Sequence, residues 1–335
     1  MKVDGSVTSD PATAVAAARR VEAAGFDGAW TSETKHDPFL TSLLALEHTE
    51  HLEVGTAIAV AFARNPMTVA HTANDLQSLS AGRFILGLGS QVKPHIERRF
   101  SMPWSQPAAR MREFIAALHA IWATWHEGVN LDFRGDFYHH TLTAPFFNPG
   151  PNEHGAPRVF LAGIGAKMTE VAGELCDGFI VHSFSTPSYF RSVSRVALDR
   201  GRSRSQRSDF EVAWPVFVAT GATEEELDES VRATKRQIAF YGSTPAYRGV
   251  LEHHGWGDLQ DELNALARAG RWDAMGDAIA DEVLGAFAVT GEPETIAAEV
   301  RRRYGGLADR VSFYLANPCD PVIVDNICRD LQAHP

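Results

Sequence analysis

The sequence predicts a (β/α)8 barrel of the TIM type with insertions. Short apolar segments without strict alternation are typical of parallel strands covered on both faces, and they recur along the chain with amphipathic helical segments between them. About eight strands can be counted, each except the last followed by a helix, which matches the barrel. A doubly wound parallel sheet is the alternative. We expect residues 1–335 to form one domain, with an insertion over residues 241–273.

The clearest βαβ unit lies between residues 52 and 92. Asn65 is a favourable N-cap, Pro66 suits the first helical position, and Gly82 supplies the left-handed residue that ends a helix. Four apolar residues between these boundaries share one helical face, as expected for a helix packed on a sheet: Val69, Ala73, Leu76 and Leu79.

The other predicted strands and helices alternate along the chain in the same way. The predicted strands are 2–7, 26–30, 52–59, 82–90, 158–162, 177–182, 210–219 and 310–316. The predicted helices are 11–24, 39–50, 66–81, 107–127, 163–175, 186–201, 223–239 and 292–304. Residues 128–156 are predicted to form a hairpin excursion, because aromatic, proline and glycine residues are interleaved there.

Composition excludes several function classes. A formal net charge of −11 disfavours nucleic acid or an anionic membrane as a partner, because both are negatively charged. Cys176, Cys319 and Cys328 are too scattered for a disulfide framework and lack CxxC spacing. There is no signal-peptide pattern at the N-terminus and no apolar run long enough to span a bilayer. We therefore expect a cytoplasmic protein that acts on a small-molecule substrate.

Two glycine-containing turns follow strands, at residues 87–92 and 163–168. Each begins like the dinucleotide fingerprint but lacks its third glycine, so a Rossmann site is disfavoured. The second turn opens a helix, and the exposed N–H groups there are suited to bind a phosphate. Close packing of a strand-to-helix corner explains that turn equally well.

Two polar residues near the carboxyl end of the second strand are candidates for proton transfer. Glu33 and His36 carry a carboxylate and an imidazole where barrel enzymes place their sites. A solvated loop is the competing interpretation for either residue. His95 and His182 also follow strands, but no histidine pair has HExxH spacing, so no metal site is predicted.

Several motifs, taken in order, carry a resemblance: Gly55-Thr-Ala-Ile58, Arg64-Asn-Pro66, the segment 82–90, Ala162-Gly-Ile-Gly165 and Asp177-Gly-Phe-Ile180. Together they resemble the bacterial luciferase-like superfamily and, within it, the coenzyme F420-dependent oxidoreductases. The resemblance covers nearly the whole chain.

The resemblance implies a barrel with a deazaflavin lying across its carboxyl rim. It implies a non-prolyl cis peptide at Ala57-Ile58, beside the ring. Glu33 then matches an acidic residue next to the cofactor, and His36 lies close to the family's catalytic histidine. The remaining implied cofactor contacts are Ser90, Gln91, His95, Gly163, Ile164, Gly165, Lys167, Met168 and His182.

One departure affects the predicted reaction. Dehydrogenase branches of the family carry a glutamate where this chain has Val92, so their substrates are not carried over. We expect an F420-dependent oxidoreductase, with the 93–104 loop and the insertion walling the substrate pocket. The alternatives are an FMNH2-dependent monooxygenase and a non-catalytic flavin-binding protein. Relatives often form dimers, which implies a homodimer.

Overall fold

The computed structural model describes residues 1–205 and 207–333. Its strands are β1 (Lys2–Ser6), β2 (Gly28–Thr31), β3 (Glu53–Thr56), β4 (Ala59–Val60), β5 (Phe84–Gly89), β6 (Phe133–Arg134), β7 (His139–His140), β8 (Arg158–Gly163), β9 (Gly178–Val181), β10 (Glu211–Ala219), β11 (Ala288–Thr290) and β12 (Arg310–Tyr314). Its α-helices are α1 (Pro11–Ala23), α2 (Pro38–Glu47), α3 (Pro66–Leu79), α4 (Pro107–Glu127), α5 (Ala166–Leu175), α6 (Pro187–Tyr189), α7 (Arg195–Arg202), α8 (Glu224–Gly242), α9 (Arg248–His253), α10 (Gly257–Arg268), α11 (Trp272–Asp277), α12 (Asp281–Phe287), α13 (Pro293–Tyr304) and α14 (Pro321–Ala333).

Within these residues, eight parallel strands close into a barrel in the order β1, β2, β3, β5, β8, β9, β10 and β12. The last of them pairs with the first, since Val3 of β1 lies opposite Val311 of β12. Closure confirms the predicted (β/α)8 barrel and excludes the doubly wound sheet. The carboxyl ends of the strands therefore meet at one rim.

Short local signals explain where several helices begin. Asp10, Asp37 and Asn65 each accept a hydrogen bond from a backbone N–H in the first helical turn, and a proline follows each of them. The cap satisfies one otherwise unpaired N–H, and proline has no N–H to satisfy. Asp320 and Pro321 start α14 in the same way, with Asp320 accepting from Val322 N. Element order therefore follows from the sequence at these points.

An ionic cluster fills the amino-terminal half of the barrel. Arg310 is 1% exposed, and its guanidinium donates to both oxygens of Asp4, at 2.7 and 2.8 Å. It also pairs with Glu53 and Glu211 at 2.9 and 3.1 Å. Trp30 Nε1 donates to Asp4 at 2.7 Å and carries its indole towards the barrel centre.

An apolar layer covers this cluster on the carboxyl side. It consists of Trp30, Ile85, Phe160, Ile180 and Ala213, all buried. The barrel is therefore a packed core over most of its length, and its carboxyl rim is where barrel enzymes place their sites.

The structure corrects several predicted elements. The third strand is interrupted between Thr56 and Ala59, and the predicted helix 186–201 contains a π-helical turn at Phe190–Ser194. The insertion is helical and continues to Phe287, beyond the predicted end at 273, and the short strand β11 follows it. The last strand is followed by a helix after all, α14. The hairpin of the 128–156 excursion is confirmed as β6 and β7.

In the part of the chain that the structure describes, no helix combines the length and apolarity needed to cross a bilayer.

Candidate active site at the carboxyl rim

A bulge interrupts the sheet where the third strand approaches the rim. Gly55 pairs with Ile85 and Ala59 pairs with Leu88, so four steps along one strand span three along the other. The extra residue is accommodated by a bulge, which turns the strand towards the barrel mouth. The bond Ala57-Ile58 within it is a non-prolyl cis peptide, as the resemblance implied.

Two glycines near the carboxyl end of β5 make room for this bulge. A Cβ on Gly87 would lie 1.7 Å from the Thr56 carbonyl oxygen, and one on Gly89 would lie 2.8 Å from Ile58 Cδ1. Thr56 adds a clamp, because its hydroxyl donates to Gly87 O at 2.7 Å and accepts from Gly87 N at 3.0 Å. These glycines allow close strand packing and form no dinucleotide-binding turn.

The end of β2 holds both sides of the bulge. Thr31 O accepts from Ala57 N at 2.7 Å, and Glu33 Oε2 accepts from Val60 N at 2.8 Å. Arg64 Nη1 donates to the same Glu33 oxygen at 2.6 Å. The Glu33 carboxylate is thus engaged by two donors, and its side chain is only 6% exposed.

An apolar shelf lies at the mouth beside the bulge. Ala57, Ile58 and Ala162 are partly buried and pack on the interior layer that includes Ile180. Such a surface suits one face of a flat aromatic ring. We call these three residues the shelf.

The opposite side of the mouth is open. Three residues lie on the inner face of their strands, because each is two positions beyond an inward-facing residue: Ser6 follows Asp4, Pro215 follows Ala213 and Ser312 follows Arg310. Ser6 is exposed, and Pro215 and Ser312 are partly exposed. Solvent therefore reaches the inner face of β1, β10 and β12 at these three residues, and we call this opening the cleft.

Hydrogen bonds among residues 90–92 stabilise the turn that follows β5. Gln91 has φ of 59°, its carbonyl oxygen accepts from Ser90 Oγ at 3.1 Å, and its side-chain oxygen accepts from Val92 N at 3.0 Å. His95 is exposed and begins a π-helical turn that ends at Arg99. Ser90 and Gln91 thus lie at the rim, and His95 lies further out.

The second glycine turn shows the close packing predicted for a strand-to-helix corner, and it leaves the start of the next helix open. A Cβ on Gly163 would lie 3.1 Å from Met168 Cγ, so Gly163 and Met168 pack the strand-to-helix corner, whereas the space around Gly165 is open. Gly165 precedes α5, and among the described residues no side chain caps that helix. Lys167 in its first turn is exposed. The helix N-terminus therefore offers free N–H groups to an anion.

The residue before Gly165 is fixed by a neighbouring side chain. The Tyr189 hydroxyl donates to the carbonyl oxygen of Ile164 at 3.2 Å.

An aromatic wall borders the mouth above β9, β10 and β12. We define this wall by six side chains: His182, Tyr241, Tyr247 and Tyr314, which are partly exposed, and Phe184 and Phe217, which are fully buried behind them. The His182 ring lies 4.9 Å from the Tyr241 ring and 4.6 Å from the Tyr247 ring, between centroids. Burial lowers the pKa of His182 to about 4, and its Nδ1 accepts from Phe184 N at 3.0 Å. The imidazole is consequently neutral, with its proton on Nε2.

The structure brings most of the sequence-predicted site residues to one rim but separates the two candidates for proton transfer. Ala57, Ile58, Ser90 and His182 surround the mouth, whereas His36 is exposed in the loop before α2. That loop contacts the π-helical turn, since Arg99 Nη2 donates to Thr34 O at 2.5 Å.

Several residues of the mouth were not singled out from the sequence as site residues, among them Tyr241, Tyr247, Tyr314 and Ser6. Tyr241 and Tyr247 lie within the insertion 241–273 that was predicted to wall the pocket, which was their only signal. Tyr314 and Ser6 carried none, because their positions on the inner face depend on strand register.

A separate cavity of about 890 Å³ lies between the starts of α8 and α13 and the helix α14. Its lining includes the acidic residues Glu224, Glu292, Glu294 and Asp330 and one cation, Arg329. This excess of carboxylates repels anions, and the shelf residues are not part of its lining. Within the described residues, no cluster of three or more histidine, cysteine or acidic side chains is arranged to hold a metal ion.

Comparisons with known proteins agree with the barrel. A family described as luciferase-like monooxygenase matches residues 2–310. The chain is 56% identical over 313 residues to an uncharacterised protein of Mycobacterium tuberculosis, covering 93% of this chain and 92% of the relative. It is 27% identical over 284 residues to an F420-dependent glucose-6-phosphate dehydrogenase of Intrasporangium calvum, covering 77% and 79%. Its fold is similar to that of a coenzyme F420-dependent tetrahydromethanopterin reductase from Methanopyrus kandleri, with a TM-score of 0.79 at 19% identity over 99% of both chains.

Proposed function

Because the chain belongs to the luciferase-like monooxygenase family, we propose that it is an F420-dependent oxidoreductase acting on a small organic substrate. The observation that carries the proposal is the shelf at the bulge, which lies on the same rim as the uncapped N-terminus of α5. Relatives with F420-dependent activity support the choice of cofactor.

The shelf fits the ring of a deazaflavin. Ala57, Ile58 and Ala162 offer an apolar surface, and the layer beneath it is packed, so a ring stays at the rim instead of entering the barrel. Hydrogen bonds from Ala57 N to Thr31 O and from Val60 N to Glu33 Oε2 hold the bulge in place. A rigid seat lowers the entropy lost when a cofactor is oriented for reaction.

The start of α5 fits the phosphate end of the cofactor. Its free N–H groups and the positive end of the helix dipole favour an anion, and the Lys167 ammonium adds a positive charge. Ser90, Gln91 and His182 are proposed to contact the cofactor between these two ends. F420 supplies the hydride chemistry when bound, and the protein supplies binding, orientation and electrostatics.

The roles of Glu33 and His36 in proton transfer stay predictions. Glu33 is engaged by Arg64 and by Val60 N, which favours a role in holding the bulge. His36 is exposed and needs a movement of its loop to reach the mouth.

The test is a titration of the purified protein with oxidised and with reduced F420, followed by F420 fluorescence and absorbance. We expect saturable binding with one site per chain. FMN is titrated in parallel. Lys167→Ala is titrated beside Lys235→Ala, which is its charge-matched control because Lys235 pairs with Asp281 on α12, away from the shelf. If neither form of F420 binds, the proposal is wrong.

The family description favours a second candidate, an FMNH2-dependent monooxygenase. FMN has the same tricyclic shape, so the shelf alone does not separate the two cofactors. Preferential binding of FMN, and oxygen consumption by the reduced complex, would support the monooxygenase. Binding of either cofactor with no turnover of any substrate tried would favour a non-catalytic flavin-binding protein.

We also propose a homodimer and a reducing, cytoplasmic environment. Cys176 and Cys328 are buried free thiols, and Cys319 is a partly buried one. A reducing compartment keeps thiols in this state. Mass measurement by light scattering tests the dimer.

A further inference from the structure

Reduction of a carbonyl by hydride needs a second group besides the hydride donor. Negative charge develops on the substrate oxygen as the hydride reaches the carbon, and a positioned hydrogen-bond donor stabilises that charge and supplies a proton. Neither predicted residue is placed for this task, because Glu33 is paired with Arg64 and His36 is exposed. The donor must therefore come from another part of the mouth.

Tyr314 is at the correct level of the barrel. It lies two residues beyond Ser312 and four beyond Arg310 on β12, so it shares the inner face with that buried arginine. Its side chain is partly exposed. The phenol therefore stands at the rim, above the cleft that reaches Ser312.

Tyr241 is the hydroxyl neighbour of Tyr314. Its hydroxyl lies 3.3 Å from the hydroxyl of Tyr314, and its ring contacts the rings of both Tyr314 and His182 at 6.4 and 4.9 Å between centroids. His182 in turn stands two residues beyond Ile180, which packs with the shelf. The hydroxyl pair and the shelf therefore border the same mouth.

The pair retains a donor after its internal bond is made. Two hydroxyls carry two protons, and their mutual hydrogen bond uses one of them. A hydroxyl that already takes part in one hydrogen bond is polarised and forms a stronger second one. Burial, together with the neighbouring Tyr314, raises the pKa of Tyr241 against a hydrogen bond with Gln237 that lowers it, so the phenol stays protonated before the reaction.

The surroundings indicate the class of substrate. The wall consists of aromatic rings and the neutral His182 imidazole, and none of its six side chains is an acid, a lysine or an arginine. Rings stack well on such a surface, whereas a charged group buried against it would be left without a partner.

On the basis of the proposed function, we infer that the Tyr241–Tyr314 hydroxyl pair binds the oxygen of an uncharged, ring-bearing carbonyl substrate and supplies the proton that accompanies hydride transfer from reduced F420. A C–H bond of reduced F420 breaks, and its electron pair forms the new C–H bond at the substrate carbon, so F420 is oxidised and the carbonyl is reduced. The C=O π pair moves to the oxygen, which takes the tyrosine proton to form an O–H bond. Solvent water then returns a proton to the pair.

The inference is tested without turnover, on the full-length protein, with two probes of similar shape. 4-Nitrophenolate places negative charge on an oxygen, as in the reaction, whereas 4-nitroanisole is neutral and carries a methyl group there. Affinities are measured by quenching of tryptophan fluorescence for the unsubstituted protein, Tyr241→Phe and Tyr314→Phe. Tyr304→Phe is the control, because this buried tyrosine lies on α13 and its hydroxyl has no hydrogen-bond partner among the described residues.

We expect each of the two pair variants to bind 4-nitrophenolate about tenfold more weakly, the loss typical of one hydrogen bond to a charged group. Binding of 4-nitroanisole, and every property of Tyr304→Phe, should be unchanged. A structural role for the pair would instead weaken both probes, and this outcome overturns the inference. The inference is also overturned if the unsubstituted protein does not bind 4-nitrophenolate, or if the two pair variants bind it as tightly as the unsubstituted protein does.

A titration with F420 keeps this inference separate from the proposed function. If the protein and both variants bind F420 equally and only the 4-nitrophenolate result fails, the hydroxyl pair is not the donor and the F420 assignment stands. If F420 does not bind to any of them, the proposed function fails, and with it the inference.

Discussion

Glu33 and Arg64 form an ion pair that encloses the backbone of one residue, Val60. Glu33 Oε2 lies 2.6 Å from Arg64 Nη1 and accepts from Val60 N at 2.8 Å, while the same guanidinium donates to Val60 O at 3.1 Å. Arg64 also pairs with Asp37 at the start of α2. The pair therefore joins the end of β2, the strand segment beyond the bulge and α2.

Removal of the Glu33 carboxylate should destabilise the protein and loosen the bulge. We expect Glu33→Ala to lower the free energy of unfolding by about 2–4 kcal/mol, because Val60 N and the Arg64 guanidinium each lose a buried partner. Glu33→Gln should lower the free energy of unfolding by less, since its amide oxygen still accepts from Val60 N. Urea unfolding measures both.

The matched control for that experiment is Glu97→Ala. Lys93 and Glu97 form an exposed pair at 3.8 Å, and such pairs contribute under about 0.5 kcal/mol. Equal losses in Glu33→Ala and Glu97→Ala would contradict the structural role of Glu33.

Gly87 should not tolerate a side chain. A Cβ at this position would lie 1.7 Å from the Thr56 carbonyl oxygen, which is backbone and cannot rotate away. We expect Gly87→Ala to cost at least about 3 kcal/mol, the upper range for overpacking, or to prevent folding. Gly165→Ala is the control, because no atom lies within 4 Å of its Cβ position. Circular dichroism and thermal melting compare the two, and similar melting temperatures would refute the close approach.

The ionic cluster in the barrel should make stability depend on pH in the acid range. Burial alone would raise the pKa of Glu53, but Arg310 and its neighbours hold it below its usual value. A carboxylate with a lowered folded-state pKa stabilises the protein above its unfolded-state pKa, and this contribution is lost as pH falls through the folded-state value.

We therefore expect Glu53→Gln to be less stable than the unsubstituted protein at pH 7, by about 1–3 kcal/mol, and the difference to shrink as the pH falls below 4.5. Glu153→Gln is the control, because its side chain is 86% exposed. Urea unfolding across this range is the measurement. A pH-independent difference would show that Glu53 is not held ionised by the cluster.

His182 should remain neutral well below the usual range for histidine. Burial lowers its pKa to about 4, so its imidazole resonances should not move between pH 8 and 5. Because the folded-state pKa is lower than the unfolded-state one, His182 favours the folded state less as the pH falls from the unfolded value towards 4. NMR titration tests this, and the His182→Gln spectrum identifies the resonances by their disappearance. Movement near pH 6 would contradict the burial.

Lys167 should contribute to cofactor binding through charge alone. It is exposed in the first turn of α5, where an ion pair with a phosphate is worth up to about fivefold in affinity. Lys167→Ala should therefore bind F420 a few-fold more weakly at low salt and nearly normally at high salt. Lys235→Ala should bind as the unsubstituted protein does. A salt-independent loss would indicate that Lys167 shapes the helix instead.

Features that depend on a few adjacent residues were predictable from the sequence. The start of α3 followed from Asn65 and Pro66, and the barrel followed from repeated strand and helix patterns. The same Asx-Pro signal at Asp320 and Pro321 marks α14, a helix beyond the last predicted element. The strand β11 was missed because three residues, Ala288–Thr290, are too few to show a periodicity.

Features that depend on pairing between distant elements were not predictable. Glu33 was assigned to the rim, but its partner Arg64 is 31 residues away in the sequence, and no local pattern links them. Tyr241 and Tyr314 are 73 residues apart and meet because the last turn of α8 lies beside the carboxyl end of β12 in the closed barrel. Strand register and packing, which local patterns do not encode, decide these contacts.

The two ends of the insertion meet at one place. β9 pairs with residues 211–213 of β10, and β11 pairs with residues 217–219 of the same strand. The chain leaves β10 at Ala219, forms α8 to α12, and returns alongside the residues it has just left. Within the described residues, the pairing that closes the eight-stranded ring involves no residue of this excursion. A change in its length or sequence would therefore alter the wall of the mouth while the strands that carry the shelf stay paired.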